Sequence, residues 1–519
     1  MAPGRIGLNI RGSRNSDNIV HANRSAILLI LFIYVVMLLA GTWVVAAQRP
    51  LWSDELYTYY IATLPSLSDV WSALLTGHEQ IPLGFYAIER FFIEMLGANS
   101  VALRLPALLG CLVMSLALFG FVSRRLSPAF GLLAAVFPMI TSAYSYARDA
   151  RPYGLELGLA TLALLCWQRA TESNNRLPAL IGLWLSLLVA ISCHYYGVLL
   201  VLPLAFGELF RTMTRRRLDL GIWSCFAGSI LPLFVMLPLI LSAAKLVGDF
   251  WAEPAWHNVV SFYQNLMTLN GTALPLVVVV TLGVVAARCW RVVPAENAAF
   301  PPHEQVAILG FIALPLVAVA LAKLVTHSFT DRYVLASVVG LSIVFAQAMH
   351  KILSGEQRIA AMLALFLISW FGLLEVYEAL QAKQLEQELE ASTMLLQSAD
   401  KEGLPIVVAE IHTFVELSHY APSDIARHLV YLADPSAARR FLGFGSLDSG
   451  MLELVGPWFR MHVVPFEQFA NAKSRFLLYG REELDSNWLI RALKERRFRI
   501  EFQTNIEKKY LFTVTPPDQ

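Results

Sequence analysis

Charge is what this sequence most conspicuously lacks. Asp, Glu, Lys and Arg supply only 15% of 519 residues, where a soluble chain carries about 25%. Hydrophobic residues make up 56%. Together these describe an integral membrane protein. The net charge of +1 gives no global attraction to nucleic acid, and none is expected as a partner. Cysteine is sparse too. Cys111, Cys166, Cys193, Cys225 and Cys289 lie in or at the ends of apolar runs. Their spacing fits neither a disulfide framework nor a zinc ribbon, so they read as small core residues. There is no internal repeat, no low-complexity tract, no P-loop and no glycine-rich dinucleotide fingerprint. No nucleotide cofactor is expected.

What is present is a series of apolar runs, at residues 26–47, 101–122, 128–147, 153–168, 177–193, 195–210, 220–244, 273–290, 306–325, 333–350 and 359–379. Each is near the roughly 20 residues that a spanning helix needs. The long apolar block 177–210 is divided at Ser192-Cys193-His194-Tyr195-Tyr196-Gly197, where polar groups and a glycine favour a turn. The fold class is thus a polytopic α-helical membrane protein with about eleven transmembrane helices. The basic arm before the first run carries Arg5, Arg11, Arg14 and Arg24. The run after it is too long for a signal peptide and lacks a small-residue cleavage site. It reads as an uncleaved first helix behind a cytoplasmic arm, residues 1–25.

Basic residues set the orientation. With the N-terminus cytoplasmic, the inner loops hold Arg124 and Arg125, Arg169 and Arg176, Arg211 and Arg215–Arg217, Arg288 and Arg291, then Lys351 and Arg358. Every inner loop is basic and short. The membrane domain covers residues 26–380, and residues 381–399 read as a helical connector. An odd span count puts the C-terminal segment outside. Residues 400–519 read as a small α/β domain, with strands at 405–411, 428–432, 461–465, 475–479 and 510–514 and a helix at 488–497.

With this topology the polar motifs collect on the outer face. The long first outer loop, residues 48–100, opens with Leu51-Trp52-Ser53-Asp54-Glu55-Leu56-Tyr57 and continues with His78-Glu79-Gln80-Ile81-Pro82 and Tyr86. Adjacent carboxylates cannot face the same way on a helix, so Asp54 and Glu55 are expected to have different duties, one as a general base. Arg148 and Arg151 flank Asp149, three residues apart. On one helix face two guanidinium groups repel unless an anion sits between them, and phosphate fits their fork geometry. Arg332-Tyr333, between two apolar runs, suits the same ligand. His78 and Glu79, with His257 from a later outer loop, are candidate ligands for a divalent metal.

In the order and content of these motifs, the chain resembles the GT-C superfamily of membrane glycosyltransferases. Within it, the chain is similar to the protein O-mannosyltransferases and the aminoarabinose transferases that modify lipid A. The resemblance spans about residues 24–380. It rests on Asp54-Glu55, on Glu79-Gln80-Ile81-Pro82-Leu83-Gly84-Phe85-Tyr86, on Arg104-Leu105-Pro106, on Ala147–Tyr153, on His194–Gly197 and on Arg332-Tyr333. Gln80 departs from the pattern, standing where aminoarabinose transferases have a lysine. Ile81 replaces the first proline. The resemblance implies inverting displacement of a sugar from a polyprenyl-phosphate donor in the cell inner membrane, at its periplasmic face. Asp54 would serve as base, beside Glu55 and Asp149. Arg148, Arg151, Arg332, Tyr333, Arg104 and Tyr86 would hold the lipid phosphate. Family metal ligands would map to Glu79 and a histidine, with His257 the nearest. The acceptor would be a lipid, a glycan or a protein, and membrane lipids surround the enzyme. Two alternatives are a lipid-linked sugar flippase or transporter, and a polysaccharide polymerase or ligase.

Overall fold

The computed structural model describes residues 10–247, 249, 252–268, 274–289, 300–399, 403–481, 487–506 and 508–517, with side chains from residue 25. Arg5 and Arg291, two of the basic residues used for orientation, lie outside the described residues.

Each apolar run coincides with a helix or a bent helix pair, and the chain is a multi-pass membrane protein. Among the described residues, four helical segments are long and apolar enough to cross a bilayer unaided: Ser25–Gln48, Ser100–Ser123, Tyr195–Arg215 and Gln357–Ser398. Three further pairs are bent, Pro128–Ile140 with Ser142–Arg148 by 78°, Leu220–Val235 with Leu237–Ala244 by 61°, and Pro302–Ile312 with Leu314–Thr326 by 51°. Proline near the start of the second member of two pairs removes a helical donor and favours the break. The helices used below are α1 (Ile10–Gln48), α2 (Ser53–Ala62), α3 (Leu83–Leu96), α4 (Ser100–Ser123), α5 (Pro152–Glu172) and α6 (Gln357–Ala399). The run 128–147 folds as a helix ending at Val136 followed by two 3-10 turns, Phe137–Ile140 and Ser142–Arg148.

Helices α4 and α5 pack at backbone contact. A Cβ placed on Gly110 would come within 2.3 Å of the Gly154 carbonyl oxygen, and one on Gly158 within 2.3 Å of the Gly110 carbonyl oxygen. Gly154 and Gly158 are four apart, so they line one face of α5, the small-residue spacing that lets membrane helices approach closely. This matters for function, because α4 carries Arg104 and the N-terminus of α5 carries Arg151. Gly158→Leu is therefore expected to force the two helices apart. In detergent it should give little or no monodisperse protein. A normal elution profile with unchanged thermal stability would remove the claim.

The C-terminal segment holds a six-stranded sheet in the order β3-β2-β1-β4-β6-β5. Its strands are β1 (Ile406–Val408), β2 (Leu429–Ala433), β3 (Val463–Pro465), β4 (Phe476–Arg481), β5 (Arg499–Ile506) and β6 (Lys509–Thr515). The first four are parallel, and β6 and β5 add antiparallel at one edge. Strands β1 and β2 are buried throughout, the continuous apolar pattern of strands covered on both faces. Alternate residues serve two cores. Val407, Val430 and Leu478 face a helix at Trp488–Glu495. Ile406, Leu429 and Leu477 share a core with Leu56, Ile61, Val70 and Phe85 of the first long loop. The sheet is thus docked on that loop by one of its own faces, and α6 runs unbroken from its membrane portion to Ala399, absorbing the expected connector. Strand β5 was not expected from sequence. Its polar residues are mostly exposed, as a charged edge strand tends to be.

Candidate active site

The site is assembled around the turn from α1 into α2. Glu55, fully buried, is the organising group. Arg104 donates to it through Nε at 2.7 Å and Nη2 at 2.6 Å, a bidentate fork. The same guanidinium donates to the carbonyls of Ala46, Arg49 and Pro50 at 2.7–3.0 Å. The Ala150 N–H donates to Glu55 at 2.8 Å, and the Trp52 N–H and Arg49 Nη2 do so at 3.2 Å. One carboxylate therefore ties the end of α1, the start of α2, helix α4 and the turn before α5. Burial alone would raise its pKa; Arg104 and Arg49 reverse that and hold it low. Glu55 and Arg104 engage each other and the surrounding backbone, in the wall of the site.

Asp54, next in sequence, faces the other way. Arg332 Nη1 donates to its Oδ2 at 2.7 Å, and Arg151 Nη1 donates to its backbone oxygen at 3.1 Å. Its side chain is 21% exposed and lines a polar pocket with Glu79, Gln80, Arg151, Arg332 and Tyr333. Burial pushes the Asp54 pKa up, but Arg151 and Arg332 bring it below the ordinary value of 3.8. Glu79 accepts from the Ile81 N–H at 3.1 Å and sits 3.6 Å from Arg151 Nη2. Burial raises its pKa in spite of Arg151. Two carboxylates and two guanidinium groups thus face one space. The Arg332 guanidinium lies 5.6 Å from the Tyr153 ring centroid, and Tyr333 stacks on Tyr196 at 4.6 Å.

Beside this pocket lies an apolar cavity of about 450 Å³, walled by Leu233, Ile240, Val247, Leu321 and Val325. Gln80 and Tyr333 line both spaces. A group with a charged head and a hydrocarbon tail fits that pair.

Other expected site residues are placed elsewhere. Arg148 and Arg151 do not share a helix face. Residues 142–148 form a 3-10 turn, and Asp149 and Arg151 are extended. The Arg148 guanidinium turns toward α6, 2.8 Å from Glu378, and stacks 4.3 Å over Tyr144. Asp149 pairs with Arg49 at 2.5 Å, outside the polar pocket. Tyr86 is fully buried and its hydroxyl makes no hydrogen bond. The metal reading does not fit. His78 lines the same pocket as Asp54 and Glu79 but pairs with Glu453 at 3.4 Å, His257 is exposed at the start of another helix, and Glu79 is engaged by Arg151. Among the described residues no three His, Cys, Asp or Glu side chains group as an ion requires. Sequence reasoning missed Arg49, Tyr57 and Tyr153, and it missed the contribution of the C-terminal domain, whose His412 and Ser446 line the pocket. Arg49, five residues before Asp54 at the end of the first apolar run, was an available signal.

Comparisons with known proteins bear on the fold. Residues 80–241 match the profile of the dolichyl-phosphate-mannose-protein mannosyltransferase family. The fold is similar to that of ArnT from Cupriavidus metallidurans in the apo state, with TM-score 0.57 and 12% identity over 94% of this chain and 98% of that one. It is also similar to the same protein bound to undecaprenyl phosphate, with TM-score 0.55 and 11% identity over 93% of this chain and 97% of that one. An Archaeoglobus fulgidus oligosaccharyltransferase in complex with Zn and sulfate aligns with TM-score 0.43 and 12% identity over 92% of this chain and 72% of that one. No curated protein matches the sequence significantly. The chain carries the fold seen in ArnT.

Proposed function

We propose that the protein transfers a sugar from a polyprenyl-phosphate donor to a hydroxyl acceptor, at the end of the helical bundle that carries the Asp54 pocket. The observation that carries this reading is the joint lining of the two spaces. Gln80 and Tyr333 border both the apolar cavity and the pocket of Asp54, Arg151 and Arg332. The solved ArnT complex, with undecaprenyl phosphate, supports a donor of that class.

Arg332 and Arg151 would take the donor phosphate and stabilise the charge it gains as the glycosidic bond breaks. Both are paired with carboxylates before donor binding. When a phosphate takes their place, Asp54 loses a cation and gains an anionic neighbour, so its basicity rises where the acceptor hydroxyl must give up its proton. The leaving phosphate needs no general acid. Gln80 supplies a neutral amide at the lysine position of the aminoarabinose transferases, which leaves the two arginines as the cationic contacts. The pocket faces the periplasm if basic loops are cytoplasmic.

The test is transfer by purified protein from a panel of radiolabelled polyprenyl-phosphate sugars into an envelope acceptor fraction, with and without chelator. Labelled product from one donor supports the reading. A folded protein inert with every donor, and unable to bind undecaprenyl phosphate, would end it. In a binding assay Arg332→Ala is expected to weaken affinity for undecaprenyl phosphate roughly ten- to hundredfold, as loss of one charge-assisted contact implies. Unchanged affinity would remove Arg332 from the donor site.

A further inference from the structure

Helix α7 (Ile411–Tyr420) of the C-terminal domain lies against α2, which carries Asp54. Two histidines of α7 meet two hydroxyls of α2. His412 Nδ1 hydrogen-bonds with Ser53 Oγ, and His419 Nδ1 with Tyr60 Oη at 3.0 Å. Ser53 and Tyr60 are seven residues apart, as are His412 and His419. Seven residues are about two helical turns, so each pair of side chains returns to the same face. The two helices therefore meet in parallel and in one register. A third bond closes the arrangement, from the Leu51 N–H to the Tyr420 hydroxyl at 2.6 Å. Tyr60 also stacks on Phe459 of the domain at 5.0 Å.

The first histidine matters most. Ser53 is buried and directly precedes Asp54, and His412 itself lines the pocket into which Asp54 points. Glu55 fixes α2 from the membrane side, through Arg104. The rotation of a ten-residue helix about its axis needs a second tether on its opposite side. We infer that His412 is a positioning residue. Through Ser53 it sets the angle at which α2 presents Asp54, and the C-terminal domain is thereby part of the active site, not an appendage. A hydroxyl acceptor entering from outside the membrane would pass His412 to reach Asp54. The inference rests on the transferase reading for its catalytic consequence, and on the helix contact alone for its structural one.

The full-length protein is the material for the test. His412→Ala and Ser53→Ala are each expected to lower kcat roughly ten- to hundredfold, since misplacing a reacting group by about 1 Å costs on that order. Affinity for undecaprenyl phosphate should stay within about twofold of the parent. His412→Asn keeps a hydrogen-bonding group near the Nδ1 position and should restore most of the rate. The double variant should be no worse than either single one, because both remove the same bond. Losses that multiply, a parallel fall in donor affinity, or no rescue by Asn would overturn the assignment. Should the parent show no transfer from any donor, the transferase reading fails by itself. Hydrogen exchange then decides the tether independently: His412→Ala should speed exchange of the amides of residues 53–62 about tenfold or more, and unchanged rates would refute it.

Discussion

Asp54→Asn is expected to lower sugar transfer by roughly 10² to 10⁴, the contribution of a positioned general base, while the protein stays folded and retains the donor lipid. The change is isosteric, and the amide oxygen still accepts from Arg332. What disappears is the negative charge. Donor phosphate then no longer competes with a carboxylate for Arg332, so affinity for undecaprenyl phosphate should hold steady or rise. Falling kcat with intact binding is the signature of a group that acts in the transition state. Transfer by Asp54→Asn within about threefold of the parent would remove Asp54 from the chemistry. The pH dependence has a defined sign. The folded-state pKa of Asp54 is depressed below 3.8, so its pairing stabilises the fold at neutral pH. That contribution is present above 3.8 and is lost as pH falls through the lower folded value. Asp54 is therefore ionised throughout the physiological range in the free enzyme.

The second large effect is on folding. Glu55→Ala removes the carboxylate that satisfies Arg104, whose side chain is 1% exposed. A buried guanidinium left without its anion costs roughly 3–5 kcal/mol. The loss should appear as a marked drop in thermal stability of the detergent-purified protein, with little recoverable at 37 °C. Arg104→Ala should do the same, since it strands Glu55. Asp54→Asn, one residue away, should unfold near the parent temperature. Equal stability of Glu55→Ala and the parent would show that the fork is not what joins α1, α2, α4 and the turn before α5. The adjacent carboxylates are thus separable by experiment: the loss falls on turnover in one case and on folding in the other.

The helical architecture was legible because lipid leaves so few options. A spanning segment must satisfy its own backbone bonds and expose apolar side chains. Hence the apolar runs and the turn at His194-Tyr195-Tyr196-Gly197 could be located from residue type alone. The central strands of the C-terminal sheet were legible for a related reason, being continuous apolar runs between turn residues. Strand β5 was not, because its partner is only β6 and its residues face water. The run 128–147 bends by 78° at Thr141, between its two 3-10 turns, where Thr141, Ser142 and Ser145 interrupt the apolar sequence.

For the site, the order of motifs marked Asp54, Arg151, Arg332 and Tyr333, which converge. It could not separate them from Glu55, Arg148 and Asp149, charged residues one to three positions away, or from Arg104. One residue of offset on α2 turns a carboxylate from the pocket to the wall. The extended backbone at Asp149 and Arg151 sends Arg148 toward Glu378 and Arg151 toward Glu79. Residue type and spacing alone settled that this is a multi-pass membrane protein with an acidic and arginine-rich site beside the bundle, because burial in lipid and the rarity of charge constrain sequence directly. Which carboxylates line the pocket, which arginines face it, and that His412 lies there with Asp54 were decided only by tertiary structure. Ion pairs between residues a hundred or more apart form by proximity in space, and proximity leaves no local trace in the chain.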